Sequence, residues 1–354
     1  MSALSLAGES EIGAGILQST APAQVTDVVS PDQSTDSITL SWASSDAVGG
    51  APVTGYAVHQ FDVVSGEQEQ VVTTAATTAT VSGLEGGRLY SFVVSGVSAA
   101  GEGAPSAAFT QSTSPGAPSG LASVVQTTSS ITLEWTAPAE HGGDSVSEYV
   151  LYRDDGSGGD VASVSMEAYR GALSSSVEVS GLEGGRSYRF AVSAVSGSGE
   201  GDRSEVVAQS TSPAALGAAP LSVSQTASSV HLSWSAPSVS TGLGATGYRV
   251  YDAETSAVVY DGAGSGAEEA VVSGLESGRL YSYVVRALSG SGEGDVSAAL
   301  EVSTAPGLVT DLVSVHQTSS SITLEWVAPA VTSGSAVTGY KVYERVVHGL
   351  SSVS

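Results

Sequence analysis

The chain has 354 residues, of which 41% are hydrophobic, only 13% are charged and 43 are glycine. That balance suits several small domains of short strands and turns and argues against long solvated helices. The formal net charge of −25 repels phosphate backbones and anionic lipid surfaces, which sets nucleic acid aside as a partner. The absence of cysteine removes disulfide frameworks, thiol nucleophiles and cysteine metal sites, so stability must come from packing.

The start, MSALSLAGESEIGAGILQ, has no basic leading region and is interrupted by Glu9 and Glu11, so it does not read as a secretory signal. No apolar run reaches the length of a membrane span. Met1–Glu9 instead matches Val192–Glu200, and Gln18–Pro22 matches Gln209–Pro213 at the same offset. The expectation is that the chain opens inside a repeat.

Next comes SITLSW, ending at Trp42, whose alternation of apolar and polar residues predicts a half-buried strand. Fourteen residues later Tyr56 stands in a second alternating run, GYAVHQF. The phrase SGLEGGRLYSF, Ser82–Phe92, reads as a loop entering a later strand, with Leu84 and Tyr90 six residues apart. Another alternating run, a glycine-rich tip (AAGEGAPS) and a short hinge (STSP) follow.

The same set then recurs as Trp135, Tyr149, Leu182 and Tyr188, and as Trp234, Tyr248, Leu275 and Tyr281; Trp326 and Tyr340 begin it again. Successive tryptophans stand 93, 99 and 92 residues apart. A period of that size predicts a tandem array. Each unit counts roughly seven short strands, the profile of an immunoglobulin-like β-sandwich.

Taken together, these residues resemble fibronectin type III repeats over nearly the whole chain. The resemblance implies an all-β, elongated array in which the Trp lies on a second strand, the first Tyr on a third, and the Leu and second Tyr form a tyrosine corner. There the Tyr hydroxyl bonds nearby backbone while its ring joins the core. On that reading the shared core consists of Trp42, Trp135, Trp234 and Trp326; Tyr56, Tyr149, Tyr248 and Tyr340; Leu84, Leu182 and Leu275; and Tyr90, Tyr188 and Tyr281. The expected division is a partial repeat at 1–20, whole repeats at 21–113, 114–211 and 212–304, and a partial repeat at 305–354. Two departures stand out. Gly86, Gly184 and Ser277 occupy a position where the family often has Pro, and ASSD follows Trp42 where AP is usual. The pair Gly86 and Gly87 would allow positive φ, and Arg88, Arg186 and Arg279 would lay their stems over the sheet edge with the charged head in water.

Chemistry is sparse. His59, His141, His231, His316 and His348 are not paired at metal-ligand spacing, and no P-loop, G-x-S-x-G or H-E-x-x-H motif occurs. In RDDGSGGD, Asp154, Asp155 and Asp160 could gather around calcium, but the spacing and closing Glu of a calcium loop are missing, so an acidic hairpin turn is the favoured reading. The glycine-rich tips, GEGDRS among them, read as flexible hairpin ends without an RGD sequence. Neither catalytic residues nor a cofactor is predicted.

The expected function is non-catalytic: a structural or adhesive spacer in an extracellular or cell-surface filament. Its partners would be other protein chains or copies of itself end to end. The incomplete first and last repeats read first as a window cut from a longer array, with strand donation between copies as the rival reading. An accessory binding arm of a large secreted enzyme or receptor, and a cytoplasmic scaffold, are the alternatives.

Overall fold

The structure, a computed structural model, describes residues 19–45, 50–63, 66–139, 142–158, 164–238, 242–331 and 333–345, with backbone also at 4–5 and 8–9. Every strand pairing in it is antiparallel. Among the described residues there is no helix.

The second unit shows the architecture most fully. Ser119–Gln126, Ser130–Thr136 and Ser176–Ser180 form a three-stranded sheet with the tryptophan strand at its centre. Opposite it, Met166–Ala172, Glu148–Arg153, Ser187–Ser196 and Gly199–Arg203 pair in that order, and Val207–Ser210 joins the free part of Ser187–Ser196. The first and third units repeat this division into three and five strands.

Alternation in sequence becomes burial in space. Along Ser130–Thr136, Ile131, Leu133 and Trp135 point into the core while Glu134 is exposed, as a pleated strand with one wet face requires. The facing strands supply Tyr149, Leu151, Tyr188, Phe190 and Val192, so the two sheets share one apolar layer. Equivalent cores form around Trp42 and around Trp234.

The last strand of each unit is split, which raises the expected seven strands to eight. In the gap a buried serine replaces the ladder bond. Ser106, Ser204 and Ser297 accept through Oγ from the N–H groups of Val94, Val192 and Val285 at 3.0, 3.1 and 2.9 Å. A buried backbone donor thereby keeps a partner, which matters because an unpaired one is costly.

At the amino end only Leu4–Ser5 and Gly8–Glu9 are described, pairing Leu4 with Glu9 and Ser5 with Gly8. The pairing of Val195 with Glu200 and Ser196 with Gly199 has the same register, at the offset that the sequence match defines. At the other end Thr310–Gln317 pairs with Ile322–Val327. There Trp326 is half-buried and Tyr340 is 45% exposed. These two expected core residues therefore lie outside a closed core, because no facing sheet covers them among the described residues.

Candidate functional site: the tyrosine corner and the outward sheet face

Each corner is built from one short loop. The N–H of Glu85 donates to Tyr90 Oη at 2.8 Å, that of Glu183 to Tyr188 Oη at 2.9 Å, and that of Glu276 to Tyr281 Oη at 2.8 Å. Leu84 and Leu182 are buried beside the corner; Leu275 and Tyr281 are partly buried against the third core. The Trp and the Tyr fourteen residues on meet edge to face in all four units, with centroids 5.5, 5.4, 5.4 and 5.1 Å apart. That geometry suits the quadrupoles of the two rings.

A third participant was not singled out from the sequence. Thr113 Oγ1 accepts from Arg88 N–H at 3.0 Å and donates to the Glu85 carbonyl at 2.7 Å. Thr211 and Thr304 make the same two bonds to Arg186 and Glu183 and to Arg279 and Glu276. All three threonines are buried. The available signal was their constant place 23 residues after each corner Tyr.

The arginine heads remain partly exposed and carry ion pairs with exposed glutamates. Arg88, Arg186 and Arg279 pair with the glutamate three residues earlier at 2.6, 2.7 and 3.0 Å. Arg88 also pairs with the buried Asp62. Its pKa is raised first by the Glu85 bond and then by Asp62, against a burial penalty. Arg88 and Arg279 stand over the rings of Tyr90 and Tyr281 at 5.9 and 5.3 Å.

On the outward face of the larger sheet, one aromatic–acid pair recurs. His59 Nε2 lies 2.7 Å from Glu102, and the Tyr152 and Tyr251 hydroxyls donate to Glu200 and Glu293 at 2.5 Å. Burial raises the Tyr152 pKa, and the Glu200 bond raises it further. Burial opposes ionisation of Glu200, yet bonds from Ser193 and Tyr152 hold its carboxyl below the usual carboxylate range. These are cross-strand ties that fix the hairpin tip. They leave each carboxylate and hydroxyl occupied.

The other candidates disperse. Asp154 is buried and accepts from the N–H groups of Gly156 and Arg189, while Asp155 accepts from Ser157 N–H; Asp160 lies outside the described residues. The two described carboxylates serve their own turn. Among the described residues no three His, Asp or Glu side chains are grouped for a metal. His231 is 3.3 Å from Glu269, and His316 lies on Thr310–Gln317; His141 and His348 lie outside the described residues. The tip read as a flexible hairpin end is packed instead. Gly103, Gly201 and Gly294 back onto the carbonyls of Pro22, Pro115 and Pro213 so closely that a Cβ would overlap them.

The profile of the Fibronectin type III domain matches residues 21–112, 116–210 and 218–303. The chain belongs to the fibronectin type III family, as a tandem array of β-sandwiches. Chitinase A1 of Niallia circulans is 36% identical over 194 residues, covering 52% of this chain and 25% of that protein. Exoglucanase B of Cellulomonas fimi is 30% identical over 291 residues, covering 75% and 24%. Receptor-type tyrosine-protein phosphatase eta of Gallus gallus is 26% identical over 326 residues, covering 91% and 22%. The chain thus spans about a quarter of the length of each relative. Among solved structures, the chicken CNTN1 FN1-FN3 domains align at 16% identity with a TM-score of 0.30, over 80% of this chain and 99% of that one.

Proposed function

We propose that this chain is a non-catalytic spacer, a segment of an extracellular or cell-surface assembly in which whole repeats at 21–113, 114–211 and 212–304 set distance and orientation. The observation that carries this reading is where the repeated residues go. Each Trp, Tyr, Leu and Thr that recurs in the three complete units packs a core or closes a corner. A chain kept in register for shape has this pattern; a binding or reacting chain concentrates convergent polar groups in one place. The strong negative charge keeps neighbouring rods apart in solution.

A second reading draws on two of the relatives. Chitinase A1 and Exoglucanase B are enzymes by name, so the chain would serve as the arm of a larger secreted enzyme, still as spacer. Cosedimentation of the chain with insoluble chitin and cellulose tests the spacer role. The expected result is a chain left in the supernatant. Retention that soluble oligosaccharide reverses would make it a carbohydrate-binding arm and overturn the reading.

A further inference from the structure

The glycine phrase has a second surface that the corner does not use. Gly87 N–H donates to the Ser114 carbonyl at 2.8 Å, and the Gly87 carbonyl accepts from Gly143 N–H, in the next unit, at 3.0 Å. Gly278 makes both bonds again, with Ala305 and Gly334, and Gly185 makes the first with Ser212. At the remaining position a Cβ on Gly242 would overlap the Gly185 carbonyl. Gly143, Gly242 and Gly334 each stand eight residues after a Trp. One loop of each unit therefore meets one loop of the next at a constant place in the repeat.

The linkers are held from both sides. Ser114 and Ser212 are buried. Their N–H groups donate back to the Ser34 and Thr127 carbonyls at 2.9 Å, and their hydroxyls donate forward to the Ser198 and Ser291 carbonyls at 2.8 and 2.7 Å. Across the first joint Gln33 Nε2 also donates to the Ser198 carbonyl at 3.1 Å, and Thr35 Oγ1 to Asp202 at 2.6 Å.

Between these bonds two backbones face each other closely. The facing pair is Gly86 with Gly116, then Gly184 with Ala214, then Ser277 with Gly307. A Cβ on Gly86 would stand 3.0 Å from Gly116 N, one on Gly184 3.2 Å from the Ala214 Cβ, and one on Gly307 2.8 Å from Ser277 Oγ. Each pair carries at most one side chain. Neither Gly86 nor Gly184 has positive φ, so close approach, and not backbone freedom, is what selects glycine there.

Resting on the spacer reading, we infer that these joints are preset contacts that hold consecutive units at one angle, with the small-residue pair setting how closely the units approach. The array is then a stiff rod and not a string of freely pivoting beads. A linker this short keeps the two loops at high effective concentration, so several modest bonds close together.

The absence of cysteine makes the test direct. Thr110→Cys with Glu178→Cys places spin labels at exposed positions across the first joint, and Glu178→Cys with Glu301→Cys across the second. Pulsed dipolar spectroscopy of the full chain is expected to give one narrow distance peak for each pair. A Cβ at Gly86 would meet Gly116 N at 3.0 Å and one at Gly184 would meet Ala214 N at 3.1 Å, so Gly86→Ser is expected to broaden the first peak at least twofold and leave the second narrow, and Gly184→Ser to broaden the second and leave the first narrow. Broad peaks in the unaltered chain, or serine substitutions that leave both peaks narrow, would overturn the inference. The polysaccharide assay fails independently, because retention there says nothing of peak width.

Discussion

The second unit and the fourth-unit segment use the same aromatic pair with opposite results. Trp135 and Tyr149 are 5% and 3% exposed, with rings 5.4 Å apart at 66°. Trp326 and Tyr340 keep nearly the same geometry, 5.1 Å at 65°, yet Tyr340 is 45% exposed. Ring contact is thus a local product of two segments fourteen residues apart. Burial comes from the facing sheet, whose corner strand brings Tyr188, Phe190 and Val192 over Trp135.

The largest effect separating the two regions should come from the Trp itself. Trp135→Ala should destabilise the second unit by about 3–5 kcal/mol, as truncation of a buried aromatic does, whereas Trp326→Ala should cost a small fraction of that. Urea titration followed by hydrogen exchange, unit by unit, reads both. Equal losses would break the comparison.

A smaller loss is expected at the corner. Thr211→Val keeps the side-chain volume but removes the acceptor of Arg186 N–H and the donor to the Glu183 carbonyl, which should cost about 1–3 kcal/mol. The third unit sharpens the contrast in the other direction. Tyr283 occupies the place of Phe92 and Phe190 and is fully buried. Its hydroxyl has no hydrogen-bond partner among the described residues, and burial pushes its pKa far up. Tyr283→Phe should therefore stabilise that unit by about 1 kcal/mol, seen as a higher melting temperature.

The smallest effect is electrostatic. The Glu102 and Glu200 carboxyls are held below the usual range, Glu102 chiefly by His59 and Glu200 by Ser193 and Tyr152 against its burial. A lowered folded-state pKa contributes stability above the ordinary carboxylate pKa of about 4.3 and loses it as pH falls through the folded value. Melting temperature should hold steady from neutral pH to about 5 and then decline. Glu200→Gln should shrink that decline modestly.

Much of this was legible in the sequence because it repeats locally. Strand alternation, the Trp-to-Tyr interval and the Leu-to-Tyr interval are each set within about fifteen residues, and the sheets follow them. What escaped is set between distant segments. The tip residue Ser198 meets Ser114 across 84 positions of chain, so the tip reads as loose until the neighbouring unit is placed beside it. Gly86 and Gly87 look alike in sequence, yet only Gly87 adopts positive φ, while Gly86 makes room for Gly116. The hinge threonines hide in a Ser and Thr background, and only their constant interval from the corner Tyr marks them.

Small-angle X-ray scattering of the intact chain tests the central claim most directly, that the repeated residues build an end-to-end array of closed sandwiches. Strands of eight to ten residues make each unit about 30 Å long, so three stacked units predict a maximum dimension of roughly 100 Å or more, with the scattering of a thin rod. A radius of gyration near 20 Å, the value for a single compact globule of this length, would contradict the account.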